Sequence, residues 1–208
     1  MNFLLLALFI SLQGLSQDKL SNGNGVGNGG DAVVCRDSVE LLDFTEARLL
    51  KRFNLIAPGK TLGHVELAKS RLAKLEKLDK RLFEQYSKVL SLIEPRWKFI
   101  ENAEFRDVAD SFEIALPEGC QIVQLAIQQV EDGKTVFHVS KKIWAKLDPR
   151  SKAGLLLHEI VYEHFLLLGD VNSVKARKFT SFLFSQEIDR YDQIKYKVFI
   201  RDLGVKFY

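Results

Sequence analysis

From Ala153 to Tyr162 the chain reads Ala-Gly-Leu-Leu-Leu-His-Glu-Ile-Val-Tyr, and only His158, Glu159 and Tyr162 bring polar side-chain atoms. A helix apolar on nearly every side is a buried one, so this stretch must lie at the centre of the fold. Asp148-Pro149 supplies an N-cap and a first-turn proline, and Gly169 a stop, which predicts a central helix near 149–168. The constraint it imposes is electrostatic. An ionised carboxylate in such a helix costs several kcal/mol unless it is paired. Glu159 therefore needs a partner: a metal-bound water, a cation such as Arg177, a hydrogen-bonding group, or a proton of its own.

Helix geometry limits which side chains can share that partner. At about 100° per residue, His158 and Tyr162 lie about 40° apart and Glu159 about 60° from Tyr162, so the three can face one site. His164 lies about 120° from His158 and cannot act with it as a two-histidine clamp. Two readings follow. In the first, His158, Glu159, Tyr162, Ser173 and Arg177 form a structural polar network with nearby backbone. In the second, Glu159 is a general base beside a metal held by His158, with Tyr162 as ligand or phenolic donor. The first takes precedence, because buried ionic networks hold such residues without catalysis. His64 and His138 have no motif context and read as surface or edge-strand histidines, although His138 could approach the central helix.

The N-terminus bears on compartment. Residues 1–16 have the pattern of an export signal, with an apolar run from Phe3 to Leu12 broken only by Ser11, and Gly14-Leu15-Ser16 as a cleavage site before Gln17. The run is shorter than the roughly 20 residues needed to span a bilayer, and no transmembrane segment is expected after signal removal. A buried N-terminal helix is the alternative. Residues 17–30, rich in Gly and Asn, gain little by burial and read as a flexible linker. Residues 31–208 then make one domain, long enough to bury about 70% of its unfolded surface. The expected location is the periplasm or the extracellular medium.

An oxidising compartment gives the two cysteines, Cys35 and Cys120, their economical reading as a disulfide, contributing on the order of 4 kcal/mol in the chain-entropy model; two buried free thiols are the alternative. Neither cysteine has the neighbours of a structural zinc site. The net charge of +3 is too small to argue for nucleic acid. Between Lys69 and Lys88 the basic residues alternate with Glu76, Asp79 and Glu84 at helical spacings, which marks a solvated face more readily than a polyanion site.

Along the chain, a short strand or hairpin over Asp31–Asp43 leads to a helix over about 44–53. Apolar residues at threes and fours from Leu62 to Ile93 predict one long amphipathic helix. Asp132-Gly133 predicts a hairpin near 121–139. A short helix around Trp144, the central helix, a helix capped by Asn172 or Ser173, and a last helix from about Ser185 with Ile188, Tyr191, Ile194 and Val198 inward complete an α+β domain, mainly helical with a small antiparallel sheet.

The ordered set Gly-Gly-Asp before Cys35, Val39-Glu40-Leu41-Leu42-Asp43, Cys120 with Gln124-Leu125-Ala126, Ala153-Gly154-Leu155, His158-Glu159, Tyr162, and Ser173 with Arg177 resembles a group of exported bacterial proteins without assigned function. It spans about 31–185 and implies no activity. A looser resemblance is to zincin metallopeptidases, through a strand, a short helix and an apolar helix bearing His-Glu. That resemblance implies a zinc ligand at His158 and a water-activating base at Glu159. It departs from the family where Tyr162 stands in place of the second histidine, and only Glu187 and Asp189 are left as downstream ligands. No metal or other cofactor is expected under the first reading, and zinc only under the second. The function expected is therefore a non-catalytic binding or envelope-associated domain, with a divergent metal-dependent hydrolase as the alternative.

Overall fold

Two strand pairs laid antiparallel in one register, interrupted at a pair of glycines, organise the fold. The computed structural model describes residues 27–50, 52–57, 62–101, 105 and 114–205. Its strands are β1 (Gly27–Asn28), β2 (Asp31–Val34), β3 (Val39–Leu41), β4 (Trp97–Ile100), β5 (Gln121–Gln124), β6 (Ala126–Glu131) and β7 (Lys134–Ser140). Gly27 pairs with Gln128 in one ladder and Asp31 with Gln124 in the next, so 27–34 and 121–128 form a single bent ribbon. At the bend the ribbon splits between two sheets, one ordered β1-β6-β7-β4 and the other β3-β2-β5. A Cβ on Gly29 would stand 2.3 Å from the carbonyl oxygen of Ala126, so the backbone approach at the bend requires glycine. The register runs on to the disulfide, Cys35–Cys120, which staples the ribbon just beyond the Val34–Gln121 pair.

The expected linker over 17–30 is corrected at its end, since 27–30 belong to this ribbon and Gly29 and Gly30 are buried. Glycine-rich composition signalled flexibility where the chain needed close packing. The proposed signal over 1–16 lies outside the described residues. The hairpin near 121–139 is present as β6–β7, and Asp132 and Gly133 both take positive φ, 49° and 74°, as a type I′ turn requires. β4 joins β7 in parallel.

Among the described residues seven helices pack on this frame: α1 (Leu42–Leu49), α2 (His64–Leu72), α3 (Lys80–Ser91), α4 (Lys141–Trp144), α5 (Pro149–Leu167), α6 (Val174–Leu183) and α7 (Gln193–Leu203). The result is one α+β domain. The central helix α5 begins as expected, with Asp148 accepting from the Ser151 N–H at 2.6 Å and Pro149 in the first turn. It lies against α2, α6 and α3 and contributes Leu155, Leu157, Val161 and Phe165 to the core. Gly154 admits α1 to its surface, since a Cβ there would meet the Phe44 ring at 2.5 Å and Leu41 at 2.8 Å.

Three expected elements differ. The long helix over 62–93 is broken: a 3₁₀ turn at Ala73–Leu75 ends α2, and Asp79 caps α3 by accepting from the Leu82 N–H at 3.0 Å. A local cap competed with helical periodicity and prevailed. The helix expected over 44–53 runs instead over Leu42–Leu49. The last helix is preceded by a 3₁₀ turn at Glu187–Arg190 and buries Tyr196, Phe199, Ile200 and Leu203, leaving Ile194 75% and Val198 41% exposed. Counting its period from Ile188 across the turn placed the apolar face wrongly. Arg71 also leaves the supposed solvated face; it is buried and donates to the carbonyls of Leu183 at 2.7 Å and Ser185 at 2.9 Å.

Candidate functional site

His158 and Glu159 sit in the middle of α5 with no solvent exposure. Glu159 points at the bend of the ribbon. Its Oε1 accepts from the Gly30 backbone N–H at 2.6 Å and its Oε2 from Gln128 Nε2 at 2.8 Å, and the same Gln128 amide donates to the Glu159 carbonyl at 3.0 Å. The chemical need comes from the bend: where the ribbon splits, the Gly30 N–H turns toward the core and needs a buried acceptor. Glu159 is that acceptor. Burial holds its carboxyl above the ordinary carboxylate range, against the opposing influence of His158, Gln128 and Gly30.

His158 faces α1. Its Nδ1 donates to Asp43 Oδ2 at 2.9 Å, both side chains being wholly buried. Burial pushes the imidazole pKa down, but the carboxylate of Asp43, by charge and hydrogen bond, with a further contribution from Glu159, overcomes this and sets it at about 9. The His158 ring is therefore protonated at neutral pH. Ser181 Oγ donates to the Asp43 carbonyl at 2.7 Å. Tyr162 is buried with its ring centroid 6.0 Å from that of His158.

A second buried ion pair lies one helical turn along α1. Arg177 Nε donates to Glu46 Oε2 at 3.0 Å and its NH1 to Ser173 Oγ. Burial raises the Glu46 carboxyl, with Arg177 pulling the other way. The expected Ser173–Arg177 contact is thus present. Arg177, however, neutralises Glu46, and the partners of Glu159 are an amide side chain and a backbone N–H. Sequence reasoning missed Asp43 and Glu46, and the signal was available: Glu40, Asp43 and Glu46 recur every third residue across an apolar segment. Glu40 completes the row, accepting from Arg150 at 3.0 Å, Thr45 at 2.7 Å and Arg48.

The other histidines are placed as follows. His138 lies in β7, flanked by β6 and β4, with its Nε2 2.7 Å from Glu131 Oε1; it is an interior-strand histidine, where an edge or surface place was expected. His164 Nδ1 is 2.9 Å from the Tyr86 hydroxyl, and burial lowers its pKa. His64 opens α2 and stacks edge-on against Trp144.

These residues do not fit a catalytic zinc. Such a metal takes three protein ligands, and among the described residues no group of three or more His, Cys, Asp or Glu side chains is arranged to hold an ion. His158 gives Nδ1 to Asp43 and keeps only Nε2 for an ion, and both oxygens of Glu159 already accept hydrogen bonds. Glu187 accepts from the backbone and side chain of Asn54 instead of facing His158.

No protein-family model, curated protein or solved structure matches the chain. The fold and site together define an α+β domain with a disulfide and a sealed, charged core. No helix among the described residues is long and apolar enough to cross a membrane, which together with the disulfide is compatible with export.

Proposed function

We propose that this chain is an exported, non-catalytic binding domain of the periplasm or extracellular medium, in which His158 and Glu159 hold the fold and recognition takes place on the surface. One observation carries this reading: both carboxylate oxygens of Glu159 are engaged by Gly30 and Gln128 in a cluster without solvent exposure. A general base must reach its proton and its water, and this carboxylate reaches neither. The clefts beside Tyr196, Arg150, Tyr191, Trp144 and Cys120 are lined by neither His158 nor Glu159.

The alternative, a divergent metal-dependent hydrolase using His158, Glu159 and Tyr162, has one observation in its favour, the buried His158 Nε2 without a hydrogen-bond partner. Metal content by mass spectrometry, on protein purified without tags or chelators, separates the two. Under the binding reading the protein holds no stoichiometric zinc, and Glu159→Gln and His158→Ala both lower its melting temperature. One zinc per chain, lost in His158→Ala and kept in a well-folded Glu159→Gln, would establish the hydrolase.

A further inference from the structure

Trp97 and Phe99 stand two apart on β4, so they leave the same face of the sheet. β4 is the last strand of its sheet, paired with β7 on one side and, among the described residues, with no strand on the other. On that side its backbone N–H and C=O groups have no ladder partner among the described residues. Trp97 and Phe99 also line a groove of about 550 Å³, together with His64 and Val65 of α2, Leu90 at the end of α3, and Trp144. Its wall is an aromatic cluster: the Trp144 ring lies 5.7 Å from Trp97, 5.6 Å from Phe99 and 5.3 Å from His64. Phe99 is 45% exposed, and the Trp97 indole N–H is buried with no acceptor.

Two lysines stand by the groove. Lys152 Nζ lies 5.6 Å over the Trp144 ring, and Lys69 is on the lining. Burial and then the charge of Lys152 lower the His64 pKa, with Glu66 pulling the other way, so His64 is neutral there. Glu94 is the single carboxylate on the lining.

An open strand edge is matched by one kind of molecule. Its donors and acceptors alternate along the strand, and another extended backbone meets them at a spacing of about 4.8 Å. An acyl chain or a small aromatic ligand fills the groove and leaves them unmatched.

We propose that the β4 edge and its aromatic groove bind an extended segment of a partner protein as an added strand, with an apolar side chain against Trp97, Phe99 and Trp144 and a carboxylate near Lys69 or Lys152. This names the partner of the binding domain proposed above and rests on that reading. Recognition comes from the backbone edge, and side-chain choice from the groove.

The chain has only two tryptophans, Trp97 and Trp144, and both line the groove, so intrinsic fluorescence reports its occupancy. The experiment titrates the mature protein with octapeptides that alternate valine and threonine around a central phenylalanine and end in aspartate. Parallel sets carry N-methyl groups on every second amide, or end in lysine. The expected result is a saturable emission change, weakened at least 10-fold by N-methylation and several-fold by the lysine end. Phe99→Ala, melting like the wild type, should weaken binding of a fluorescein-labelled peptide about 10-fold by anisotropy. Equal binding of the N-methylated set, no emission change at about 1 mM peptide, or a dimer through β4 that excludes every peptide would each overturn the proposal. Cleavage of the bound peptide that stops in Glu159→Gln would overturn the non-catalytic reading and leave the groove standing.

Discussion

Raising the pH through the alkaline range should unlock the core at one residue. The His158 pKa is about 9 in the folded protein against an ordinary value of 6.5. A histidine whose pKa is raised on folding contributes stability that is fully present below the unfolded value and is lost as pH rises through the folded one. The window is therefore pH 6.5 to about 9, and the gap corresponds to about 3 kcal/mol, or roughly 6–12 °C in Tm for a domain of this size. Glu159 and Glu46, raised by burial, act with the same sign in a lower window that opens near the ordinary carboxylate value of 4.5. The assay is urea unfolding at a series of pH values from 6.5 to 9.5, wild type beside His158→Gln, whose amide can donate to Asp43 without titrating. The wild-type advantage should shrink by about 3 kcal/mol across that range. Groups other than residue 158 are common to both proteins and cancel in the difference. Parallel curves would refute the claim that Asp43 holds His158 as a cation.

Other perturbations test other contacts. Arg177→Ala leaves Glu46 buried with only Arg52, 3.8 Å away, and should cost about 3–5 kcal/mol in urea unfolding; the double variant Arg177→Met, Glu46→Leu should recover much of that loss, and a wild-type Arg177→Ala would contradict the pairing. Gly30→Ala brings a Cβ to 2.2 Å from Leu155 Cδ1 and 3.3 Å from Glu159 Oε1, so about 1–3 kcal/mol should be lost, with part restored by Leu155→Ala; no loss would show that the bend has room to spare. Removing the disulfide, as Cys35→Ser with Cys120→Ser, should lower stability on the order of 4 kcal/mol, and two titratable thiols in denatured wild-type protein would disprove the bridge.

What could be read from sequence divides along physical lines. The α5 boundaries, the Asp132-Gly133 hairpin and the α+β class rest on local rules: a proline in the first turn, a two-residue turn with positive φ, and side chains buried all round. The Cys35–Cys120 pair rests on a compartment argument and is present. The errors arose where a local signal was overridden by a neighbour. Asp79 breaks a periodic helix by capping a new one, and the glycines near residue 30 signal flexibility by composition but serve close approach. The acidic row of Glu40, Asp43 and Glu46 is legible, but its pairing with His158 and Arg177 is not. The partners lie more than 100 residues away, and no helical wheel drawn on α5 can display a carboxylate that arrives from α1.

Those long-range pairs give the charged core its reason. Asp43 and Glu46 stand three apart on α1, one reaching α5 through His158 and the other α6 through Arg177. Buried ion pairs add little to net stability compared with apolar residues of like shape, because desolvation offsets their attraction. They differ in what they forbid. An apolar contact between α1 and α5 would survive a slide of one turn, with a new set of Leu and Phe side chains in contact. Here a slide would strand two carboxylates, an imidazolium and a guanidinium in a dry core. It would also pull Glu159 from the Gly30 N–H at the bend of the ribbon. The His-Glu pair thus fixes α5 to α1 on one side and to β6 and the bend of the ribbon on the other: a cation and an acceptor at adjacent positions point in different directions from a single buried turn.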